Sequence, residues 1–269
     1  MDYTGRMSRV FSIALTLVAL AFGAAAQSVS FPSVATGNVA AGPQIKAWLT
    51  RPAGEGPFPA IIVLHNCAGV GAHTYDWAKR IGGWGYVTLV PDSFGSRDEG
   101  GVCTRPNVVP PNMRVADVVG AADYLATLPF VAKDRIGLIG YSHGASVVMR
   151  SLQRRAGLAQ RGVKGGVAYY PGCFAAFDYD IDAPLLILIG DKDDWTPADR
   201  CRALQRAGFT RPELVEAVYY PNAYHSFDAN LRNRTVPGAP GKSHYLEYDP
   251  AAAADAETRT RAFFEKLLR

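Results

Sequence analysis

The apolar positions of this chain form short continuous runs, and segments with the periodicity of amphipathic helices lie between them. Uninterrupted apolar runs are typical of strands that are buried on both faces of a sheet. We predict such strands at residues 60–64, 86–90, 136–139, 165–170, 185–189 and 215–219, preceded by an edge hairpin that ends near residue 49. We predict helices at residues 75–81, 115–128 and 251–268, one directly after residue 142, and one that ends near residue 208. This alternation indicates an α/β protein with a mostly parallel, doubly wound sheet and helices on both faces.

The first 26 residues have the pattern of an export signal. Arg6 and Arg9 give it a basic start, residues 10–22 are apolar, and three alanines at its end form a cleavage site. The apolar stretch is shorter than the ~20 residues that a membrane-spanning helix needs. We therefore expect residues 1–26 to be a signal peptide. Residues 27–269 should form one exported domain, periplasmic or secreted, without stable membrane insertion after the signal is removed.

The composition adds little to this picture. The chain has 269 residues and a formal net charge of only +4. So small a charge gives no reason to expect nucleic acid or a membrane surface as a partner. The length is sufficient for a single large domain with a substantial core.

The strongest chemical signal is a G-x-S-x-G pattern around Ser142, flanked by Gly140 and Gly144. It follows an apolar strand and precedes a helix, which is the context of a nucleophile elbow, where a serine projects its hydroxyl above the sheet edge. The backbone N–H of His143 lies at the start of that helix, where an unpaired donor can stabilise a developing oxyanion. We expect Ser142 to be a nucleophile and His143 to supply half of an oxyanion hole.

A serine nucleophile needs a histidine base and a carboxylate that orients it. His225 follows the last predicted strand, which is where the chain order Ser, Asp, His requires the base. The loop after the preceding strand offers Asp191, Asp193 and Asp194; we choose Asp193, with Asp194 as the rival. No complementary set of ligands accompanies these acids, so we expect neither a metal nor another cofactor.

The other histidines receive structural interpretations. His65 should be hydrogen-bonded beneath the loop that follows the 60–64 strand, while His73 and His244 lie in polar stretches and are expected at the surface. The loop after His65 is where a hydrolase of this type places its second oxyanion donor, and we assign that donor to the backbone of Cys67. The acids Asp117 and Asp123 are expected to be solvated or capping charges.

Three segments together resemble the dienelactone hydrolase family of α/β-hydrolases: GYSHGA around Ser142, GDKDDWTP around Asp193 and YHSFD around His225. The resemblance covers most of residues 27–269 and implies the α/β-hydrolase fold. It implies that the acid is the residue three positions after a glycine and four before a proline, which is Asp193. It also implies that the oxyanion donor follows a polar residue, which makes it Cys67.

The sequence departs from that family in two ways. The best-known members use a cysteine nucleophile and a glutamate in the oxyanion loop, where this chain has Ser142 and Asn66. They also hold a substrate carboxylate with arginines, one of which falls on Ala229 here, whereas Arg97 lies near the other. The resemblance therefore predicts an exported ester or lactone hydrolase rather than an enzyme for dienelactone itself.

Four cysteines in an exported chain are expected to pair, because an oxidising compartment favours disulfides. Three pairings are possible, and we predict Cys67–Cys103 and Cys173–Cys201, since each joins loops expected at the same sheet edge. The competing hypothesis for Cys67 is a catalytic thiol, a role that Ser142 already fits.

The substrate is the least determined feature. Phe94, Trp195, Tyr170 and Phe174 are candidates for the walls of an apolar pocket, and Arg97 and Arg105 either bind an anionic acyl group or are solvated loop charges. A small-molecule ester or lactone, cleaved through an acyl-enzyme on Ser142, is the expected substrate. Two other classes stay open: an acyltransferase with the same triad, which acceptor experiments would distinguish, and a non-catalytic binding protein on a hydrolase scaffold.

Overall fold

The central sheet has eight strands, of which the first two are antiparallel to their neighbours and the other six run parallel. The computed structural model describes residue 1 and residues 26–174 and 180–269. The strands are β1 (Gln27–Pro32), β2 (Gln44–Thr50), β3 (Phe58–Leu64), β4 (Val87–Pro91), β5 (Val131–Tyr141), β6 (Val163–Tyr169), β7 (Leu185–Gly190) and β8 (Val215–Tyr220), arranged in the order β1-β2-β4-β3-β5-β6-β7-β8. This arrangement confirms the predicted α/β fold with a mostly parallel sheet.

In the described part of the chain, five α-helices connect or cover these strands: α1 (Ala72–Gly83), α2 (Pro111–Ala126), α3 (His143–Ser151), α4 (Ala198–Ala207) and α5 (Pro250–Leu268). Both faces of the sheet are covered. Two neighbouring glycines of β6 show this, because successive strand residues point to opposite faces. A Cβ on Gly165 would meet Leu267 of α5, and one on Gly166 would meet Val148 of α3. The central strands are therefore buried on both sides, which explains their uninterrupted apolar runs.

A small hairpin formed by β9 (Arg234–Pro237) and β10 (Ser243–Leu246) lies outside the main sheet and was not predicted. His244, expected at the surface, is instead a buried residue of β10. Leu246 pairs with His225 in an isolated parallel bridge, so the hairpin is tied to the loop after β8. The hairpin is too short and polar to give an apolar strand signal.

The predicted export signal falls on residues 1–26, and apart from its two end residues it lies outside the described part of the chain. Among the described residues, no helix combines the length and the apolar character that crossing a membrane requires.

Candidate active site

Ser142 stands on a sharp turn between β5 and α3, as the G-x-S-x-G pattern predicts. Its φ is +52°, a left-handed value that residues with a side chain rarely adopt. The turn is possible because the chain packs very closely around it. A Cβ on Gly140 would collide with the backbone of Gly144, and a Cβ on Gly144 would collide with the carbonyl of Leu64. The two glycines are therefore required by the close approach of β3, β5 and α3.

The expected nucleophile, base and acid lie together in one hydrogen-bonded chain. Nε2 of His225 is 3.0 Å from Oγ of Ser142, and Nδ1 of His225 is 2.8 Å from Oδ2 of Asp193. All three residues are buried. They come from three different loops, after β5, β7 and β8, which end at the same edge of the sheet. The topology of the sheet thus brings together residues that are 83 and 32 positions apart.

The loop after β7 holds the Asp193 carboxylate in place. Its Oδ1 accepts hydrogen bonds from the backbone N–H groups of Trp195 and Thr196, at 2.9 and 2.7 Å. The hydroxyl of Thr196 donates to Oδ2 at 2.8 Å. The rival Asp194 faces away and accepts a 3.3 Å hydrogen bond from the backbone of Tyr245. The geometry therefore favours Asp193 as the partner of His225.

The two segments expected to form the oxyanion hole are linked by Arg114, which the sequence analysis did not single out. Nη1 of this fully buried arginine lies 3.1 Å from the carbonyl oxygen of His65 and 2.9 Å from Nδ1 of His143. It joins the loop that carries Cys67 to the start of α3. Burial and then the charge of Arg114 lower the pKa of His143 to about 3, so this ring is neutral at neutral pH.

His65 has the structural place that was expected for it. It is completely buried, and its Nδ1 is 2.8 Å from the carbonyl oxygen of Asn66. Burial, and then the nearby charge of Arg114, set its pKa well below the ordinary value. The side chain of Asn66 accepts a hydrogen bond from the backbone of Ala68 at 2.9 Å. Short-range hydrogen bonds therefore shape the turn that presents Cys67.

Two cavities meet at Ser142. One, of about 410 Å³, lies along α3 and is lined by Ser142, His143, Ser146 and Arg150; we call it the α3 cavity. The other, of about 310 Å³, lies beneath the β9–β10 hairpin and is lined by Ser142, His225, Tyr170, Leu231, Val236 and Leu246; we call it the hairpin cavity. Cys67, Cys103 and Trp195 line both. Ser142 thus has open space on both of its sides.

The sequence model of the dienelactone hydrolase family matches residues 45–268, which is most of the chain. The chain belongs to the dienelactone hydrolase family. A relative in Methylorubrum extorquens, provisionally assigned as a carboxymethylenebutenolidase, is 27% identical over 212 residues, which are 70% of this chain and 69% of the relative. One in Synechocystis sp., with the same provisional assignment, is 24% identical over 84% of this chain and 93% of its own length.

Solved structures agree with the dienelactone hydrolase fold. A Klebsiella pneumoniae protein provisionally assigned as a dienelactone hydrolase has a TM-score of 0.70 at 22% identity, covering 90% of this chain and 99% of its own. A dienelactone hydrolase-like promiscuous phosphotriesterase from metagenomic libraries has a TM-score of 0.72 at 20% identity, covering 92% and 100%. At these identities the likeness concerns the fold.

This dienelactone hydrolase family member does not bring Arg97 or Arg105 to its serine. The guanidinium of Arg97 donates two hydrogen bonds, of 2.8 and 2.9 Å, to the fully buried carboxylate of Asp117. Arg105 forms an exposed ion pair with Glu99. The expectation that Asp117 is solvated is therefore wrong, and Arg97 is occupied by a structural ion pair rather than aimed at either cavity.

Of the four aromatic candidates, Trp195, Tyr170 and Phe174 line at least one of the two cavities, and Phe94 does not. Phe94 is fully buried, with its ring 4.5 Å from that of His65 and 5.5 Å from that of His143, so it supports the oxyanion segments from beneath and lines neither cavity. Trp195 lines both cavities, and its ring lies 5.0 Å from that of His225. On its other side, Trp195 stacks on His244 at 4.6 Å.

Asp228 is a buried polar centre that the sequence analysis missed. Its carboxylate accepts hydrogen bonds from the hydroxyl of Tyr170 and Nε1 of Trp77, both at 2.7 Å, and lies 2.8 Å from Nε2 of His73. Burial by itself would raise the pKa of Asp228, but these three partners outweigh it and hold the pKa below its ordinary value. His73 is therefore paired rather than a free surface residue. The only sequence signal was an acid three positions after His225.

The structure contains the two disulfides that were expected, Cys67–Cys103 and Cys173–Cys201. The first joins the loop after β3 to the long loop before α2. The second joins the loop after β6 to α4. Among the described residues, no cluster of three or more His, Cys, Asp or Glu side chains is arranged to hold a metal ion.

Proposed function

We propose that this protein is a serine hydrolase that cleaves small carboxylic esters or lactones through an acyl-enzyme on Ser142. The observation that carries the proposal is the hydrogen-bonded chain from Oγ of Ser142 through the imidazole of His225 to the carboxylate of Asp193. The relatives that are provisionally assigned as carboxymethylenebutenolidases, and one assigned as a lactonase of a furanylidene propanoate, support the same bond class.

In the proposed reaction, Oγ of Ser142 attacks the carbonyl carbon of the ester while Nε2 of His225 takes the hydroxyl proton. Asp193 accepts the hydrogen bond of Nδ1–H and stabilises the imidazolium that forms. The backbone N–H groups of His143 and Cys67 stabilise the oxyanion. The imidazolium then protonates the leaving alkoxide oxygen, and the C–O bond breaks. Water, deprotonated by His225, attacks the acyl-enzyme, and release of the acid restores the serine hydroxyl.

The neutral ring of His143 supports this assignment. A protonated imidazole next to the serine would compete with His225 for the role of acid. Burial and Arg114 keep the pKa of His143 far below neutral pH, which leaves one histidine to exchange protons with the serine.

The compartment and boundaries are part of the proposal. Two disulfides support an oxidising environment, which agrees with an export signal over residues 1–26 and a single mature domain over residues 27–269. The substrate is not expected to be dienelactone, because Ala229 replaces one arginine of the family and Arg97 is bound to Asp117. A small ester or lactone with substituents that fit the two cavities is the proposed substrate.

The first test is hydrolysis of p-nitrophenyl acetate and butyrate by the mature protein and by Ser142→Ala. We expect kcat/KM to fall at least 10³-fold in the variant, because the acyl-enzyme cannot form. Equal rates in the two proteins would contradict the proposal. Added alcohols test the transferase alternative: transfer products that exceed the free acid would favour it.

A matched pair of variants tests the acid. Asp193→Asn should lower kcat by several orders of magnitude, because the asparagine favours the wrong tautomer of His225. Asp194→Asn removes the same charge one residue away, where no contact with His225 exists, and should leave kcat within about twofold. The reverse ranking would transfer the role to Asp194.

A further inference from the structure

The α3 cavity runs along one face of α3. Ser142, Ser146 and Arg150 all line it, and they are spaced by four residues, which places side chains on the same face of a helix. Eight residues of helix rise by roughly 12 Å. The cavity therefore extends from the serine along α3 to Arg150, about two helical turns away.

Arg150 is available for a ligand in a way that Arg97 and Arg105 are not. It is half-buried, and its guanidinium forms no hydrogen bond or ion pair with the described residues, whereas Arg97 and Arg105 are paired with Asp117 and Glu99. Burial and then the neighbouring positive charge of Arg155 lower the pKa of Arg150. A half-buried cation with a second positive charge nearby favours an anion that would neutralise it.

The position of His225 assigns the two cavities to the two halves of an ester. The leaving oxygen must receive its proton from Nε2 of His225, so the alcohol half has to lie on the side of the imidazole. His225 lines the hairpin cavity and not the α3 cavity, whereas His143, at the oxyanion side, lines the α3 cavity. The alcohol half therefore occupies the hairpin cavity, and the acyl chain extends along α3 towards Arg150.

We propose that Arg150 is a specificity-determining residue that binds a carboxylate at the far end of the acyl chain. The preferred substrates are then half-esters of dicarboxylic acids, in which several methylene groups separate the ester carbonyl from a free carboxylate. The alcohol half is mostly apolar, because Leu231, Val236 and Leu246 line the cavity that receives it, although Arg234 lines it as well. This inference rests on the proposed esterase function and names its substrate class.

The test compares mono-p-nitrophenyl suberate with p-nitrophenyl octanoate, which has the same chain length but no terminal charge. We expect the native protein to prefer the suberate ester and Arg150→Gln to lose roughly 10- to 100-fold in kcat/KM on it, the range expected for a charged hydrogen bond. The rate on the octanoate ester should stay within about twofold, which also shows that the variant is folded. A shorter succinate half-ester should gain little from Arg150, because its carboxylate cannot reach the guanidinium.

Arg200→Gln is the matched control. Arg200 also lines the α3 cavity, but it is exposed, and its guanidinium lies over the ring of Phe174 at 5.9 Å. Arg200→Gln should change kcat/KM on the suberate ester by less than about threefold. Three results would each overturn the inference. Arg150→Gln could lose kcat/KM equally on both esters, Arg200→Gln could lose as much on the suberate ester as Arg150→Gln does, or the native protein could show no preference for the suberate ester. Failure of the esterase proposal looks different, because then neither ester would show hydrolysis that depends on Ser142.

Discussion

At the scale of the residue, Ser142 shows how the fold holds a strained backbone in place. A non-glycine residue with positive φ costs on the order of 1–3 kcal/mol unless its surroundings fix it. Here the backbone N–H of Ser142 donates a 2.9 Å hydrogen bond to the carbonyl of Tyr169, and Gly140 and Gly144 allow the flanking segments to approach. The packing of β5, β6 and α3 therefore holds Ser142 in its strained backbone conformation.

Two aspartates of α2 show that burial decides how much an ion pair contributes to stability. Asp117 is fully buried with Arg97, whose side chain is 11% exposed, and also accepts a 2.7 Å hydrogen bond from Ser33. Asp123 pairs with Arg161, and their side chains are 46% and 34% exposed. Solvent screens the pair of Asp123 and Arg161, so that pair contributes little. The buried carboxylate of Asp117 has lost its hydration and depends on Arg97 and Ser33 to compensate for it.

We expect Asp117→Asn to lower the free energy of unfolding by about 3–5 kcal/mol, because it leaves the charge of Arg97 buried without a counterion. Asp123→Asn, on the same helix, should change it by less than about 1 kcal/mol. Urea titration followed by circular dichroism measures both values. Similar midpoints for the two variants would mean that the buried pair contributes no more than a surface one.

At the scale of the element, the two disulfides attach loops to the scaffold at different distances from the chemistry. Cys67–Cys103 closes a sequence separation of 36 residues, and both cysteines line the two cavities. Cys173–Cys201 closes a separation of 28 residues, and neither cysteine is among the residues that line those cavities. The two bridges close loops of similar length, so they should stabilise the fold similarly. Because only Cys67–Cys103 lines the cavities, the two bridges should affect activity differently.

Replacing both members of either pair by alanine should lower the free energy of unfolding by about 3–4 kcal/mol, from the loop-closure entropy regained by the unfolded chain. At a temperature where both variants stay folded, the variant without Cys67–Cys103 should lose at least tenfold in kcat, because the backbone of Cys67 is no longer held. The variant without Cys173–Cys201 should keep most of its activity. Thermal unfolding measures the effect on stability, and ester hydrolysis measures the effect on kcat. Equal kcat values for the two variants would show that the Cys67–Cys103 bridge does not position the backbone N–H of Cys67.

At the scale of the whole molecule, Asp228 joins parts of the chain that are far apart. It lies in the loop after β8, and its partners come from α1 and from the end of β6. Tyr170, one of them, has its ring 4.6 Å from that of His225. A single carboxylate thus connects the helix on one side of the site to the wall behind the proposed base.

The depressed pKa of Asp228 has a direct effect on acid stability. A carboxyl whose folded pKa lies below its unfolded value, about 3.9, stabilises the fold above that unfolded value and ceases to do so as pH falls through the folded pKa. We expect Asp228→Asn to lower stability at pH 7 by about 1–3 kcal/mol, since three donors lose a charged acceptor. The variant should also lose less stability than the native protein between about pH 5 and pH 2.

Urea midpoints measured across that pH range test this prediction. Asp76→Asn is the control, because Asp76 is an exposed carboxylate of α1, the helix that carries His73 and Trp77. It should leave the pH profile close to that of the native protein. Parallel profiles for the native protein and Asp228→Asn would show that Asp228 does not contribute to acid sensitivity.

Much of the fold followed from local pattern. The parallel strands gave clear signals because burial on both faces requires apolar residues at every position. The β9–β10 hairpin gave none, because four-residue strands that are half exposed need no such pattern. His244 lies in this hairpin, so its polar sequence neighbours predict a surface residue, although its side chain stacks on Trp195.

The sequence alone determined the α/β fold, the family, and Ser142 and His225 as the candidate nucleophile and base, because these depend on short motifs and on their order along the chain. It left Asp194 as a rival to Asp193, and the contacts of the folded chain favour Asp193. Only the tertiary structure decided which charges are free. Pairing depends on contacts between residues distant in sequence. Such contacts bind Arg97 to Asp117, bury Asp228 beside the site, and, within the described part of the chain, leave the guanidinium of Arg150 without an ion pair in the lining of the α3 cavity. An arginine carries the same charge in every sequence, but its partner is set by the fold.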